Sequence, residues 1–332
     1  MALKVDIVGG GISGLSTAMS LKERDSSINV VVHEKHKKIG YNHEGRRCGE
    51  AHSIEHLWCS KWTPTGKSFF NEITKAEVLV GKEKYEYQLQ PGLAYVLNRQ
   101  EFIYQLGENA KKLGAVIQTD DKIKSFSDLD GDYIIDASGF PSSIKRELGF
   151  TRSFKSITYQ QTLEDSNFFV PNVIKIIYTG SIGYYWIFPR DPTKKEINLG
   201  LGVYGKTDCN LKQLLEQFKE ELNIEGKINY TVGGLIPIGL QRPLRYKNIL
   251  FVGDAGVGTF TMTGEGIHRA LISGDVAGKC IAKGYPKKYP KIMTRYLIKW
   301  DILGKSITRM NYVFGKINPK LVLASLKHIT YR

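Results

Sequence analysis

Cysteine is scarce in this chain. There are four in 332 residues, Cys48, Cys59, Cys209 and Cys280, and no two form a CxxC pair. That spacing argues against a disulfide framework or a zinc site, and makes a reducing cytoplasm the default compartment. No run of 18 apolar residues occurs, so no membrane-spanning helix is expected. The strand-like run Lys4-Val5-Asp6-Ile7-Val8 begins almost at once, so no leader peptide is expected either. Acid is nearly missing from the C-terminal stretch. Residues 279–332 hold 13 Lys and Arg against one acid, Asp301, a net +12 out of the chain's +14. The 278 residues before them hold 34 basic and 32 acidic side chains and are nearly neutral. A basic tail on a neutral body calls for an anionic partner. No nucleic-acid module is recognisable, so nucleic acid is not the expected one.

Glycine, by contrast, is placed with purpose. The first strand runs into Gly9-Gly10-Gly11-Ile12-Ser13-Gly14, a helical pattern follows from Leu15, and a second apolar strand, Ile28 to Val32, ends near Glu34. Gly9, Gly11 and Gly14 stand in GxGxxG spacing. The first permits a tight turn, the second lets a pyrophosphate approach the backbone, and the third lets helix and strand pack closely. The helix start offers free N–H groups, including that of Ser13, to phosphate. Glu34 stands where a carboxylate accepts from a ribose. A bound dinucleotide is therefore expected.

The next loop carries Arg46-Arg47-Cys48-Gly49-Glu50. The arginines read either as a solvated pair or, for Arg47, as a contact to cofactor or anionic substrate. Cys48 reads either as a thiol activated by neighbouring cations or as a small buried hydrophobe. Residues 76–97 have the pattern of a three-stranded meander. Arg99 opens a helix stopped by Gly114, and a strand then runs into Asp136-Ala137-Ser138-Gly139, with Gly139 at the nucleotide crevice. Residues 151–237 change to long Tyr-, Ile- and Val-rich strands with one helix, Leu211 to Leu222. A second strand–turn–helix follows, in Gly253-Asp254-Ala255 and Thr263-Gly264-Glu265-Gly266-Ile267. There Asp254 is placed for a ribose or ribityl hydroxyl, and the N–H groups near Gly264, Gly266 and Ile267 are placed for the electron-rich edge of a flavin.

These motifs together resemble the FAD-dependent monooxygenase-like superfamily. Arg47-Cys48-Gly49-Glu50 and Gly183-Tyr184-Tyr185-Trp186-Ile187-Phe188-Pro189 narrow the resemblance to the geranylgeranyl reductase family, over residues 1 to 285. The resemblance implies an α/β fold. A Rossmann-type FAD-binding domain (1–75, 98–150 and 245–285) carries an inserted, mainly antiparallel β-sheet substrate domain (76–97 and 151–244), and charge and apolar spacing add a basic helical C-terminal segment (286–332). It implies FAD as cofactor, hydride transfer to a prenyl-chain double bond, and an electron donor that is a ferredoxin or a nicotinamide. It places Cys48 near the flavin and has Tyr184 and Trp186 shape an apolar channel. Thr261 stands where the family often has proline.

Within the tail, apolar residues at helical spacing alternate with Lys and Arg, with breaks expected at Gly304, Gly315 and Pro319. Such a segment either covers the core with a solvated basic face or lies on an anionic membrane surface, which would make the protein peripheral at the inner face of the membrane. Two rival functions remain open. An aromatic hydroxylase or halogenase would share the flavin fold, although a halogenase-type WxWxIP run is wrong here at Tyr184 and Phe188. A non-catalytic flavin-bound protein would use the tail alone.

Overall fold

The computed structural model describes residues 2–41, 48–54, 60–178, 183–204 and 209–314. In chain order, strand β1 (Lys4–Val8) leads to helix α1 (Ile12–Arg24) and β2 (Asn29–Glu34). Five short strands follow: β3 (Ala51–Ser53), β4 (Phe69–Glu72), β5 (Lys75–Val80), β6 (Glu83–Gln88) and β7 (Ala94–Leu97). Then come α2 (Arg99–Lys112), β8 (Val116–Thr119), β9 (Tyr133–Asp136) and α3 (Ser143–Glu147). The inserted region contains β10 (Lys155–Glu164), β11 (Val173–Tyr178), β12 (Gly183–Pro189), β13 (Ile197–Tyr204), α4 (Leu211–Leu222) and β14 (Lys227–Pro237). The chain returns through β15 (Arg245–Tyr246), β16 (Ile249–Phe251), α5 (Gly253–Gly256), α6 (Ile267–Ala282) and α7 (Tyr289–Phe314).

Three sheets result. A six-stranded sheet of order β15-β16-β9-β1-β2-β8 is parallel except for its β15 edge. Its central strand buries Val5 and Ile7 completely, as a strand covered on both faces must. A seven-stranded sheet of order β14-β10-β13-β12-β11-β5-β6 is antiparallel except where β11 meets β5. Helix α4 packs Leu215 and Phe218 onto it, and Tyr185 stacks on Phe218 at 4.0 Å. The third sheet, β3-β7-β4, corrects the expected meander. Strands β5 and β6 join the large sheet as a hairpin, but the third strand, β7, leaves them to pair with β3 and β4.

Small residues set the close contact of α1 and α6. A Cβ at Gly274 would come within 2.4 Å of the Ser13 carbonyl, and one at Gly278 within 2.7 Å of Ser20. Ser16 and Ser20 donate to the carbonyls of Leu271 and Asp275 at 2.7 Å, so the buried hydroxyls are satisfied. Laying α6 along α1 brings both glycine turns to one place.

Helix α7 is continuous through Gly304, against the break expected there. The glycine serves close approach instead, since a Cβ there would lie 2.7 Å from the side chain of Thr261. Gly315 and Pro319 lie outside the described residues. The helix is pinned by Asp301, which takes 2.8 and 3.4 Å hydrogen bonds from Arg269 and one of 2.7 Å from the Leu240 N–H.

His33, on β2, sits between Asp6 at 3.1 Å and Asp121 at 2.7 Å. Burial pushes its pKa down, but the hydrogen bonds to the two carboxylates outweigh this and raise it. A raised histidine stabilises the fold fully below its unfolded pKa of about 6.5, and the contribution is lost as pH rises through the folded value. Melting temperature is therefore expected to fall more from pH 6 to pH 9 in the native protein than in His33→Gln. Parallel curves for the two would exclude this role.

Candidate active site

The first turn is built as its spacing requires. Gly9 holds φ +111°, a conformation strained for any side chain, and donates to the His33 carbonyl at 2.9 Å. A Cβ at Gly14 would lie 2.0 Å from the Gly9 carbonyl oxygen, whereas one at Gly11 would meet nothing within 4 Å. Gly11 caps α1 with no side-chain hydrogen bond, so the helix start faces open space. Ser13 is buried against the second turn, where a Cβ at Gly253 would touch its Oγ. Glu34 accepts from the Gly10 N–H at 2.8 Å and from the His36 N–H at 2.9 Å. Its Oε1 also pairs with the His36 ring at 2.7 Å, and its Oε2 keeps a further lone pair for a ribose hydroxyl. Gly139, at φ +88°, likewise faces open space, and Asp136 fixes its turn by accepting from Ser138 N at 3.1 Å and Ser138 Oγ at 2.6 Å.

Arg99 opens α2, and its Nε is buried without a hydrogen-bond partner. The Cys48 sulfur, which it also hydrogen-bonds, followed by the Asp254 and Glu50 carboxylates, raises its pKa despite burial. Asp254 stands across from it, its own pKa raised by burial and held back by Arg99 and Arg269. Cys48 is only partly buried and its Sγ accepts from the Glu50 N–H at 3.2 Å. The cation beside Cys48 is thus Arg99, 51 positions on in the chain. Arg47 lies outside the described residues.

The segment 48–50 is clamped to the large sheet. Glu50 accepts from Arg190 at 2.7 Å and from Asn198 at 3.1 Å, and Arg190 also pairs with Glu196. All three ionised groups are buried, so this bridge is held in one geometry. Sequence reasoning missed it, because Glu50 and Arg190 are 140 residues apart.

Strand β12 supplies an aromatic wall. Tyr184 lies 5.4 Å from Tyr178 and 5.8 Å from Trp186, ring centre to ring centre. The Tyr184 hydroxyl donates to the Thr263 carbonyl, and a Cβ at Gly264 would lie 2.9 Å from it. Trp186 donates to Gln160 at 3.1 Å and fills the space left by Gly200, where a Cβ would overlap its ring. The wall thus meets the loop leading into α6. One expected donor is spent: the Gly264 N–H bonds the Phe260 carbonyl at 2.9 Å. Gly266 caps α6 without a side-chain partner, and Ile267 begins the helix, so the N–H groups after Gly264 carry the dipole end. Two histidines missed by sequence reasoning lie near. His52 is buried with neither ring nitrogen hydrogen-bonded, and burial, aided by His268, lowers its pKa to about 3.

The residues present fit an FAD. They offer two open glycine positions, an unpartnered Arg99 Nε, the Asp254 carboxylate and two helix starts at one place. Among the described residues no group of His, Cys, Asp and Glu is suited to hold a metal ion.

Comparison with known proteins agrees. The sequence model of the geranylgeranyl reductase catalytic domain matches residues 155–235, and that of an NAD(P)-binding Rossmann-like domain matches residues 7–68. The digeranylgeranylglycerophospholipid reductase of Methanocella arvoryzae is 25% identical over 96% of this chain and 87% of its own length. That of Methanosarcina acetivorans is 27% identical over 82% and 73%. The structure of a geranylgeranyl bacteriochlorophyll reductase-like protein from Thermoplasma acidophilum superposes with a TM-score of 0.81 at 20% identity, covering 98% of this chain and 96% of that one. The flavin-dependent halogenase CmlS gives 0.72 at 16%, covering 97% and 67%. Fold and site define an FAD-dependent oxidoreductase with a Rossmann-type cofactor domain and an inserted sheet. Within that class the chain resembles the geranylgeranyl reductase family, whose catalytic-domain model matches its residues 155–235.

Proposed function

We propose that the protein saturates double bonds in the prenyl chains of a geranylgeranylated glycerophospholipid. The observation that carries this reading is the Tyr178–Tyr184–Trp186 wall, which meets the cofactor turns through Tyr184 and Thr263. A long isoprenoid needs such an apolar, aromatic surface beside the redox centre. Relatives that cover most of this chain bear the name of that reaction.

Cofactor contacts are assigned to Gly9, Gly11, Ser13, Gly14, Glu34, Arg99, Gly139, Gly253, Asp254, Gly266 and Ile267, with Gly264 shaping the loop and Arg47 joining the set from outside the described residues. Reduced FAD supplies the hydride. Arg99 orients polar groups of the cofactor, Cys48 stands beside Arg99 at the substrate side, and Tyr184 and Trp186 exclude water and align the chain. Electrons come from a ferredoxin or a nicotinamide carrier. No described helix is long and apolar enough to cross a membrane. The substrate is taken from an anionic lipid surface, which the basic, apolar-studded α7 suits. Exposed Ile292, Ile302 and Met310 there lie among Lys291, Arg295, Lys299 and Arg309.

Mixed with anionic vesicles containing geranylgeranylated phospholipid, the reduced protein is expected to pellet with them and to hydrogenate the lipid. Trp186→Ala is expected to slow turnover at least tenfold, and Cys48→Ala to do the same with flavin still bound. Unchanged turnover in both variants would refute the site assignment. Rapid product formation from an aromatic substrate, dependent on oxygen, would replace the reading with hydroxylation.

A further inference from the structure

A cleft of about 470 Å³ lies between α7 and the chain entering and leaving the large sheet. Arg152, Arg242 and Lys305 ring it, and Phe154, Leu240, Ile298 and Ile302 form its floor. Asp301 also lines it, but its carboxylate is taken up by buried Arg269 and the Leu240 N–H. The three cations have no carboxylate within ion-pair distance among the described residues. Arg242 makes a single long contact, 3.5 Å to Thr294, and the Lys305 ammonium stands 5.2 Å over the Phe154 ring.

Three cations without carboxylate partners around an apolar floor form a good surface for an anionic amphiphile. Guanidinium forks match phosphate oxygens in pairs, while the floor takes the first methylenes of a chain. The apolar edge continues out of the cleft along α7, where Ile302 is 58% exposed and Leu303 and Met310 follow. We infer that this cleft binds the phosphate of a lipid headgroup, through Arg152, Arg242 and Lys305, and holds α7 against the lipid surface. The inference deepens the lipid-substrate reading, on which it rests, by giving the headgroup chemistry and a place for it.

The test is calorimetric titration of the oxidised, FAD-loaded protein with dihexanoylphosphatidic acid below its micelle concentration. This ligand has no prenyl chain and undergoes no turnover. Saturable binding is expected, weakened at least tenfold in Arg152→Ser/Arg242→Ser/Lys305→Ser and weakened less in Lys305→Ser alone. A charge-matched variant at exposed lysines elsewhere, Lys67→Ser/Lys82→Ser/Lys124→Ser, is expected to bind as the native protein does. Flavin absorbance and melting temperature check that each variant is folded. Equal weakening in both triple variants would show diffuse charge attraction and overturn the site. Inorganic phosphate binding as tightly, with the same losses, would overturn the lipid source, and no binding by the native protein would overturn the whole inference. The titration involves no reduction, so its failure leaves the reductase reading to flavin reoxidation.

Discussion

Replacing Asp301 by alanine is expected to destabilise the protein by about 3–5 kcal/mol, the cost of leaving a buried partner charge uncompensated. The partner is Arg269, fully buried on α6, and its other described hydrogen bond is to the Thr259 carbonyl at 3.2 Å. Asp301 also satisfies the Leu240 N–H, so its loss strands a second donor. The pair ties α7 to α6, the helix whose start faces the cofactor site. The urea midpoint of Asp301→Ala measures the loss. The double variant Arg269→Met/Asp301→Leu is expected to recover most of it, because an apolar pair of similar size leaves no charge behind. A loss below about 1 kcal/mol in the single variant would mean that solvent reaches Arg269, and would contradict the burial on which the estimate rests.

The second large effect separates fold from cofactor. Gly11→Val is expected to leave stability within about 1 kcal/mol of native, since a Cβ there meets nothing within 4 Å and the backbone at Gly11, φ −84° and ψ −172°, suits any residue. The same side chain stands where the pyrophosphate must approach the helix start. Flavin affinity is expected to fall at least a hundredfold, about 2.7 kcal/mol. Gly14→Val makes the contrast, because its Cβ would strike the Gly9 carbonyl at 2.0 Å and disturb the turn itself. Full flavin occupancy in Gly11→Val, read from the visible spectrum after dialysis, would remove the first turn from the cofactor site.

Much of this was legible in the sequence because the chemistry is local. The turn from Gly9 to Gly14 needs its glycines within six residues, and the strand, helix and acid that give it meaning lie within the next twenty. The second turn, Gly253 to Ile267, is read in the same way. The residues 76–97 were legible as strands but not as partners. Alternation reports which face is buried and says nothing of which strand lies alongside, so β7 was assigned to the wrong sheet. Gly304 was misread because a helical glycine signals a break unless another element needs its space, and Thr261 lies far away in sequence. The Glu50–Arg190–Glu196 bridge and the Arg99–Cys48 contact were invisible for the same reason: both are made only when distant segments fold together.

The central claim is that FAD held by this chain reduces a prenyl double bond, and one measurement tests it most directly. The purified protein is reduced with dithionite under anaerobic conditions and mixed with a geranylgeranylated phospholipid, while the oxidised-flavin absorbance and the lipid mass are followed together. The account predicts that the absorbance returns without oxygen and that the lipid gains hydrogens in pairs. Flavin that stays reduced until oxygen is admitted, with the lipid mass unchanged, would contradict it.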